Sequence, residues 1–116
     1  MILVAPGWME LAVSLLLTLA VEVPAAWLWG LRGRDLTLAA LVNVLTNPAV
    51  VLLYGLIVSA TGWPRLGVQL PLEAAAAAVE AWCYLKCGEN IRGPVRLAVL
   101  ANGLSYGAGL LLNRLF

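Results

Sequence analysis

Two carboxylates, Glu22 and Glu80, stand inside long apolar runs, and each is followed by an asparagine in the next run. Asn43 comes 21 residues after Glu22, and Asn102 comes 22 after Glu80. The flanks match as well: Ala20-Val21-Glu22 pairs with Ala78-Val79-Glu80, and Thr46 and Asn47 follow Asn43 where Ser105 follows Asn102. A carboxylate within a membrane costs on the order of 2.5 to 3.5 kcal/mol even on the lenient insertion scale, so a residue kept there has a partner or a task. With no Lys or Arg at that depth, protonation, water or a bound cation must offset the charge. Glu22 and Glu80 are therefore the expected charge-compensating pair of an ion or solute site, with Asn43, Asn102, Thr46, Ser105 and Asn47 as its neutral ligands. The plainer alternative is that these amides and hydroxyls only hydrogen-bond across helices, at about 0.6 to 2 kcal/mol each.

Other chemistry finds little support. The chain has no histidine, which removes the commonest metal ligand and the usual near-neutral proton carrier. It has no nucleophile paired with a base, no HExxH and no Gly-rich phosphate loop, so an enzyme is not expected and nothing calls for a cofactor. Cys83 and Cys87, four apart, could form a soft metal site with Glu80; their counterparts in the first half are Ala25 and Trp29, and they are read as free thiols with no metal. A net charge of +1 leaves no basic face for nucleic acid.

The elements that must position these residues follow from composition. At 116 residues, with 63% hydrophobic against 11% charged residues and mean hydropathy +0.95, the chain reads as one integral membrane domain. The apolar stretch from Leu11 to Val21 resembles a signal peptide, but no Lys or Arg precedes it and Glu10 does, so it is read as a retained first span. The expected fold is all-α, a polytopic membrane bundle of four transmembrane helices at about 8–31, 36–60, 68–88 and from 96 to the end. Glu10, Ser14, Thr18 and Glu22 recur every four residues along one ridge of the first. Gln69, Glu73, Glu80 and Cys87 make a polar stripe down the third, and Asn102, Ser105, Tyr106, Gly109 and Asn113 share a face of the fourth. Pro24 and Pro48 would each free a carbonyl one turn back, at Ala20 and Val44, as further acceptors beside Glu22 and Asn43. Pro71 is expected in the first turn of the third helix, and Asp35 is a candidate N-cap of the second.

The repeat sets the organisation. With a shift of 59, nine of the 19 positions from Leu38 to Leu56 are identical, Asn43 with Asn102 among them; Leu and Ala account for the other eight. The chain thus divides into repeat 1 (8–60), a linker (61–67) and repeat 2 (68–116), two tandem hairpins of the same orientation around a polar interior. Arg32, Arg34, Lys86, Arg92 and Arg96 cluster at the two intra-hairpin links. The positive-inside bias then puts both links in the cytoplasm and both termini outside, in a bacterial-type inner or plasma membrane. The expected function is a small transporter or channel for a cation or small cationic solute, proton-coupled through Glu22 and Glu80. The alternative is an accessory subunit whose polar layer is structural. Its partners are the lipid bilayer, the solute, and a second copy or partner helix docked at Gly103 and Gly107, a small-xxx-small pair.

Overall fold

The computed structural model describes residues 7–115, which form four α-helices: α1 (Gly7–Trp29), α2 (Arg34–Thr61), α3 (Arg65–Cys87) and α4 (Pro94–Leu115). Links of three to six residues join them, too short for anything but antiparallel neighbours. The helices close a ring in which α1 packs on α2, α2 on α3, α3 on α4 and α4 back on α1, while the diagonals α1 with α3 and α2 with α4 stay apart. A core axis is left between them. The bundle measures 42 × 25 × 21 Å, and a helix of 23 residues runs about 35 Å.

Helix boundaries have local causes. Gly62 takes a left-handed conformation (φ 68°) and donates its N–H to the Val58 carbonyl, stopping α2. Pro64 then opens α3 at once, so that helix starts at Arg65, inside the stretch expected to be linker. As a result Pro71 lies in the interior of α3 and not in its first turn. At the other end of α3, Gly88 packs so closely that a Cβ would stand 2.5 Å from the Tyr84 carbonyl oxygen and 2.6 Å from Ile91.

The radial distribution of side chains is inverted relative to a water-soluble bundle. Ser14, Thr18, Glu22, Asn43, Thr46, Asn47, Gln69, Glu80, Asn102 and Ser105 are buried, whereas Leu28 is 77% exposed and Leu16, Leu45, Leu56, Leu85 and Leu111 are exposed with it. Three helical stretches, Leu11–Trp29, Arg34–Thr61 and Pro94–Leu112, are long and apolar enough to cross a membrane. Helix α3 is as long as α1 but less apolar. It spends its length on Arg65, Gln69, Glu73, Glu80 and Lys86 and on the run Ala74 to Ala78 in place of large aliphatics.

The two intra-hairpin links are fastened to each other. The Asp35 carboxylate accepts the backbone N–H groups of Glu89 (2.8 Å) and Asn90 (2.9 Å), and Arg34 pairs with Glu89 at 2.6 Å on the surface. The Trp29 indole N–H donates to the Arg92 carbonyl. Asp35 is thus not the N-cap of its own helix; Gly33 occupies that position without a side-chain bond, and Asp35 serves the loop of the other hairpin. Arg32 closes the first link by lying over the Trp27 ring at 4.3 Å and donating to the carbonyls of Trp27 and Leu31.

Candidate functional site

The polar side chains converge on the axis because each helix turns its rarest residues inward. Glu22 from α1 and Glu80 from α3 belong to diagonal helices, and their carboxyls lie close enough across the axis to interact. Asn43 and Asn102 come from the other diagonal and hold matching poses: each donates Nδ2–H to the carbonyl one turn back, Ala39 and Ala98, at 2.8 Å. That bond fixes which end of the amide is nitrogen and leaves the Oδ1 acceptor for a neighbour. Thr46 donates to the Val42 carbonyl at 3.0 Å in the same way.

Contacts between helices complete the layer. Ser105 on α4 donates to Glu22 Oε2 at 2.8 Å and also lies 3.1 Å from the Asn102 carbonyl. Asn47 on α2 donates to Thr18 Oγ1 on α1 at 3.0 Å. One level further from the links, Tyr106 on α4 donates to Gln69 Oε1 on α3 at 2.9 Å. All seven expected ligands, Glu22, Glu80, Asn43, Asn102, Thr46, Ser105 and Asn47, are buried in this layer.

Between them lies a cavity of about 10 Å³, on the order of the room one water molecule needs. Thr18, Glu22, Asn43, Thr46, Asn47, Glu73, Asn102 and Ser105 give it polar walls, and Val50 and Ala76 apolar ones. Glu80 is not among its walls. Two participants, Thr18 and Glu73, were visible from the sequence only as members of polar ridges. Their inward turn follows from the spacing, Thr18 one turn before Glu22 and Glu73 two turns before Glu80, but nothing local marked them as part of the site.

Four buried side-chain atoms in the described residues have no hydrogen-bond partner: Glu22 Oε1, Asn47 Oδ1, and both oxygens of Glu80. All four are oxygen acceptors. Two carboxylates facing each other without a proton have nothing to donate to one another, and Asn43, Asn47 and Asn102 each give one Nδ2–H to a carbonyl or hydroxyl oxygen. An unsatisfied buried acceptor costs about 1–3 kcal/mol, more when charged, so each of these oxygens opposes folding until a donor or a positive charge meets it.

Apolar packing closes the layer at both ends. Toward the links lie Ala26, Leu31, Ala39, Val42, Ala81, Tyr84, Leu97, Ala98 and Ala101; toward the other end Val50, Val51 and Ala76 pack with Leu11, Tyr54 and Leu72. Other expectations fare differently. Ala20 and Pro24 are exposed, so the carbonyl freed in α1 lies on its outer side, away from the buried Glu22; Val44 is exposed as well. The prolines therefore shape the helices and supply no ligand to the interior. Cys83 packs half-buried against the link-end cluster and Cys87 is exposed, and no group of three or more His, Cys, Asp or Glu among the described residues is placed to hold a metal. Gly103 and Gly107 are exposed on α4 with open space where a Cβ would stand. The side chains of Glu10 and Asn113 lie outside the described set. No protein-family model matches this chain, and comparison with curated proteins and with solved structures finds none that is similar.

Proposed function

We propose that the protein is a small integral membrane transporter or channel for a cation, coupled to protons through Glu22 and Glu80. All four helices span, as two tandem hairpins related by a pseudo-twofold along the bundle axis, with both links on the cytoplasmic side. The observation that carries this reading is the set of unsatisfied acceptors: Glu22, Glu80 and Asn47 hold four buried oxygens that close no hydrogen bond among the described residues. A layer meant only to glue helices would pair them, because each one left alone opposes folding. The inverted radial distribution supports the membrane, and the diagonal placement of the two glutamates and of the two like-posed asparagines supports the twofold. The size of the cavity favours a cation no larger than a water molecule over a bulkier organic solute.

The test is flux. Purified protein in liposomes carrying a pH gradient should move cations against protons, and the double variant E22Q/E80Q, which keeps shape while removing both charges, should stop that movement with little loss of thermal stability. Undiminished cation-driven proton movement in the double variant would falsify the coupled-site reading. The alternative, an accessory subunit, is favoured by the open Gly103 and Gly107 face of α4, and it expects no flux from the chain alone.

A further inference from the structure

Between α3 and α4 the outer surface of the bundle carries a groove of about 460 Å³, the size class of a small-molecule pocket. It is hollow because its walls are small: Ala74, Ala77, Ala78 and Ala81 on α3 face Val99 and Gly103 on α4. Apart from Glu73, Asn102 and Tyr106 its lining is aliphatic, and those three are engaged elsewhere. Asn102 gives an N–H to the Ala98 carbonyl, Tyr106 bonds Gln69, and the half-buried Glu73 has an interaction of its own. Along α4 the groove runs from Val95, at the link end, to Tyr106, about 16 Å at 1.5 Å per residue. That is half of a hydrocarbon core of about 30 Å, the depth of one leaflet. It closes where the Tyr106 hydroxyl reaches across to Gln69 on α3.

The link end, where the groove opens, holds uncompensated positive charge. Glu89 is paired with Arg34, the Asp35 carboxylate is taken up by the N–H groups of Glu89 and Asn90, and no acidic residue stands in the first turn of α4. Lys86, Arg92 and Arg96 are exposed, and among the described residues their side chains form no hydrogen bond or ion pair. Arg96 lies one turn from Val99 and two from Gly103 on the same ridge of α4, at the mouth of the groove. We propose that an anionic phospholipid of the leaflet on the link side occupies this groove, with one acyl chain between α3 and α4 and its phosphate held by Arg96 and Arg92.

Charge and length together select the occupant. A basic end alone marks only the side that stays in the cytoplasm. Here it stands at the mouth of an apolar groove one leaflet deep, and a phospholipid carries an anion and an acyl chain in that order. A partner's transmembrane helix would need a continuous face across about 30 Å, and this groove ends halfway, at Tyr106. Glu73 and Asn102 line both the groove and the small axial cavity, so the seated chain completes the wall between the polar layer and the bilayer. The site requires only that α3 and α4 lie in a membrane. It is independent of what the polar layer carries.

The experiment uses the full chain in a mild non-ionic detergent. Phosphatidylglycerol or phosphatidylcholine with identical acyl chains is added, and retained lipid is read by native mass spectrometry beside the melting temperature. Phosphatidylglycerol should bind saturably at a single tight site per chain, raise the melting temperature, and hold at least about fivefold more tightly than phosphatidylcholine. R92Q/R96Q should bring the two lipids to equal affinity, whereas R114Q, which removes a charge at the opposite end, should keep the preference. G103L fills the groove. A Cβ at Gly103 meets nothing within 4 Å and Leu suits a helix better than Gly, so this variant should fold as the wild type does and lose the tight site for both lipids. G55L, at an equally open and exposed glycine on α2, should change nothing. Equal affinity for the two lipids in the wild type, a preference that survives R92Q/R96Q or disappears in R114Q, full binding by G103L, or stabilisation by inorganic phosphate equal to that by the lipid would overturn the assignment. So would a dimer that G103L disperses, which would put a second copy in the groove. Failure here is separable from failure of the transport reading: flux without lipid selectivity removes this site alone, and lipid selectivity without flux in liposomes removes transport alone.

Discussion

Ser105 shows how one hydroxyl can decide the state of a buried carboxylate. It reaches Glu22 from the helix that closes the ring, so its removal leaves Oε2 as bare as Oε1 already is. S105A should therefore lower stability by about 1–3 kcal/mol in a denaturant or thermal titration, the cost of an acceptor stripped of its donor. T46A is the matching control. The Thr46 hydroxyl bonds only a carbonyl of its own helix, and its loss should stay within about 1 kcal/mol. Equal effects of the two would mean that the Ser105 bond to Glu22 carries no weight. At this scale the sequence was informative where a residue was out of place, since Glu22, Glu80, Asn43 and Asn102 interrupt apolar runs and all turn inward. It was silent on direction. Nothing local tells that Asn47 gives an N–H to Thr18 and keeps its oxygen unpaired, because the partner is 29 residues away on another helix.

Among the elements, the most consequential contact was also the least legible. Asp35 sits at a helix start and has the chemistry of a cap, but a cap is only one use for a carboxylate at that place. Here Gly33 opens the helix, and the freed Asp35 oxygens take two backbone N–H groups from the α3–α4 link, 54 and 55 residues on. Those are charge-assisted bonds, half-buried, that tie hairpin to hairpin. D35A should cost about 2–4 kcal/mol in melting experiments, since it orphans two donors at once, whereas R34A, which breaks only an exposed ion pair, should leave the melting temperature nearly unchanged. A larger loss from R34A than from D35A would refute the clamp. Helix existence, by contrast, was plain from apolar run length, and the ends moved by only a few residues. The exceptions have physical causes: Pro64 starts α3 sooner than a stretch rich in Gly and Pro suggests, and Pro24 turns its freed carbonyl outward because it lies across the helix from Glu22.

For the whole molecule, the ring of four helices joins two properties that composition alone leaves separate: an apolar exterior and a polar axis. Both come from the same residues, since placing a stripe of Glu, Asn, Thr and Ser on each helix and closing the ring buries every stripe at once. Helix α3 is the exception that a topology experiment must address. Its Ala run and its Arg65, Gln69, Glu73, Glu80 and Lys86 keep it from standing out as a span, yet it packs along both α2 and α4 and its links leave from opposite ends of the bundle. If its polar side is shielded by the other helices, the burden of its Glu and Gln residues is not borne by lipid, and it crosses with them. Single cysteines at Trp63 and Asn90, with Cys83 and Cys87 first replaced, report on the two ends of α3; both sites are exposed and neither has the positive φ that makes Gly33, at 55°, a poor host for a side chain. In the proposed orientation, with the basic links in the cytoplasm, an impermeant thiol reagent added to intact cells should label W63C and spare N90C. The opposite pattern would invert the orientation and leave the bundle as it is. Labelling of both from the same side would mean that α3 does not cross, and the buried pair of Glu22 and Glu80 could then not lie on a path through the membrane.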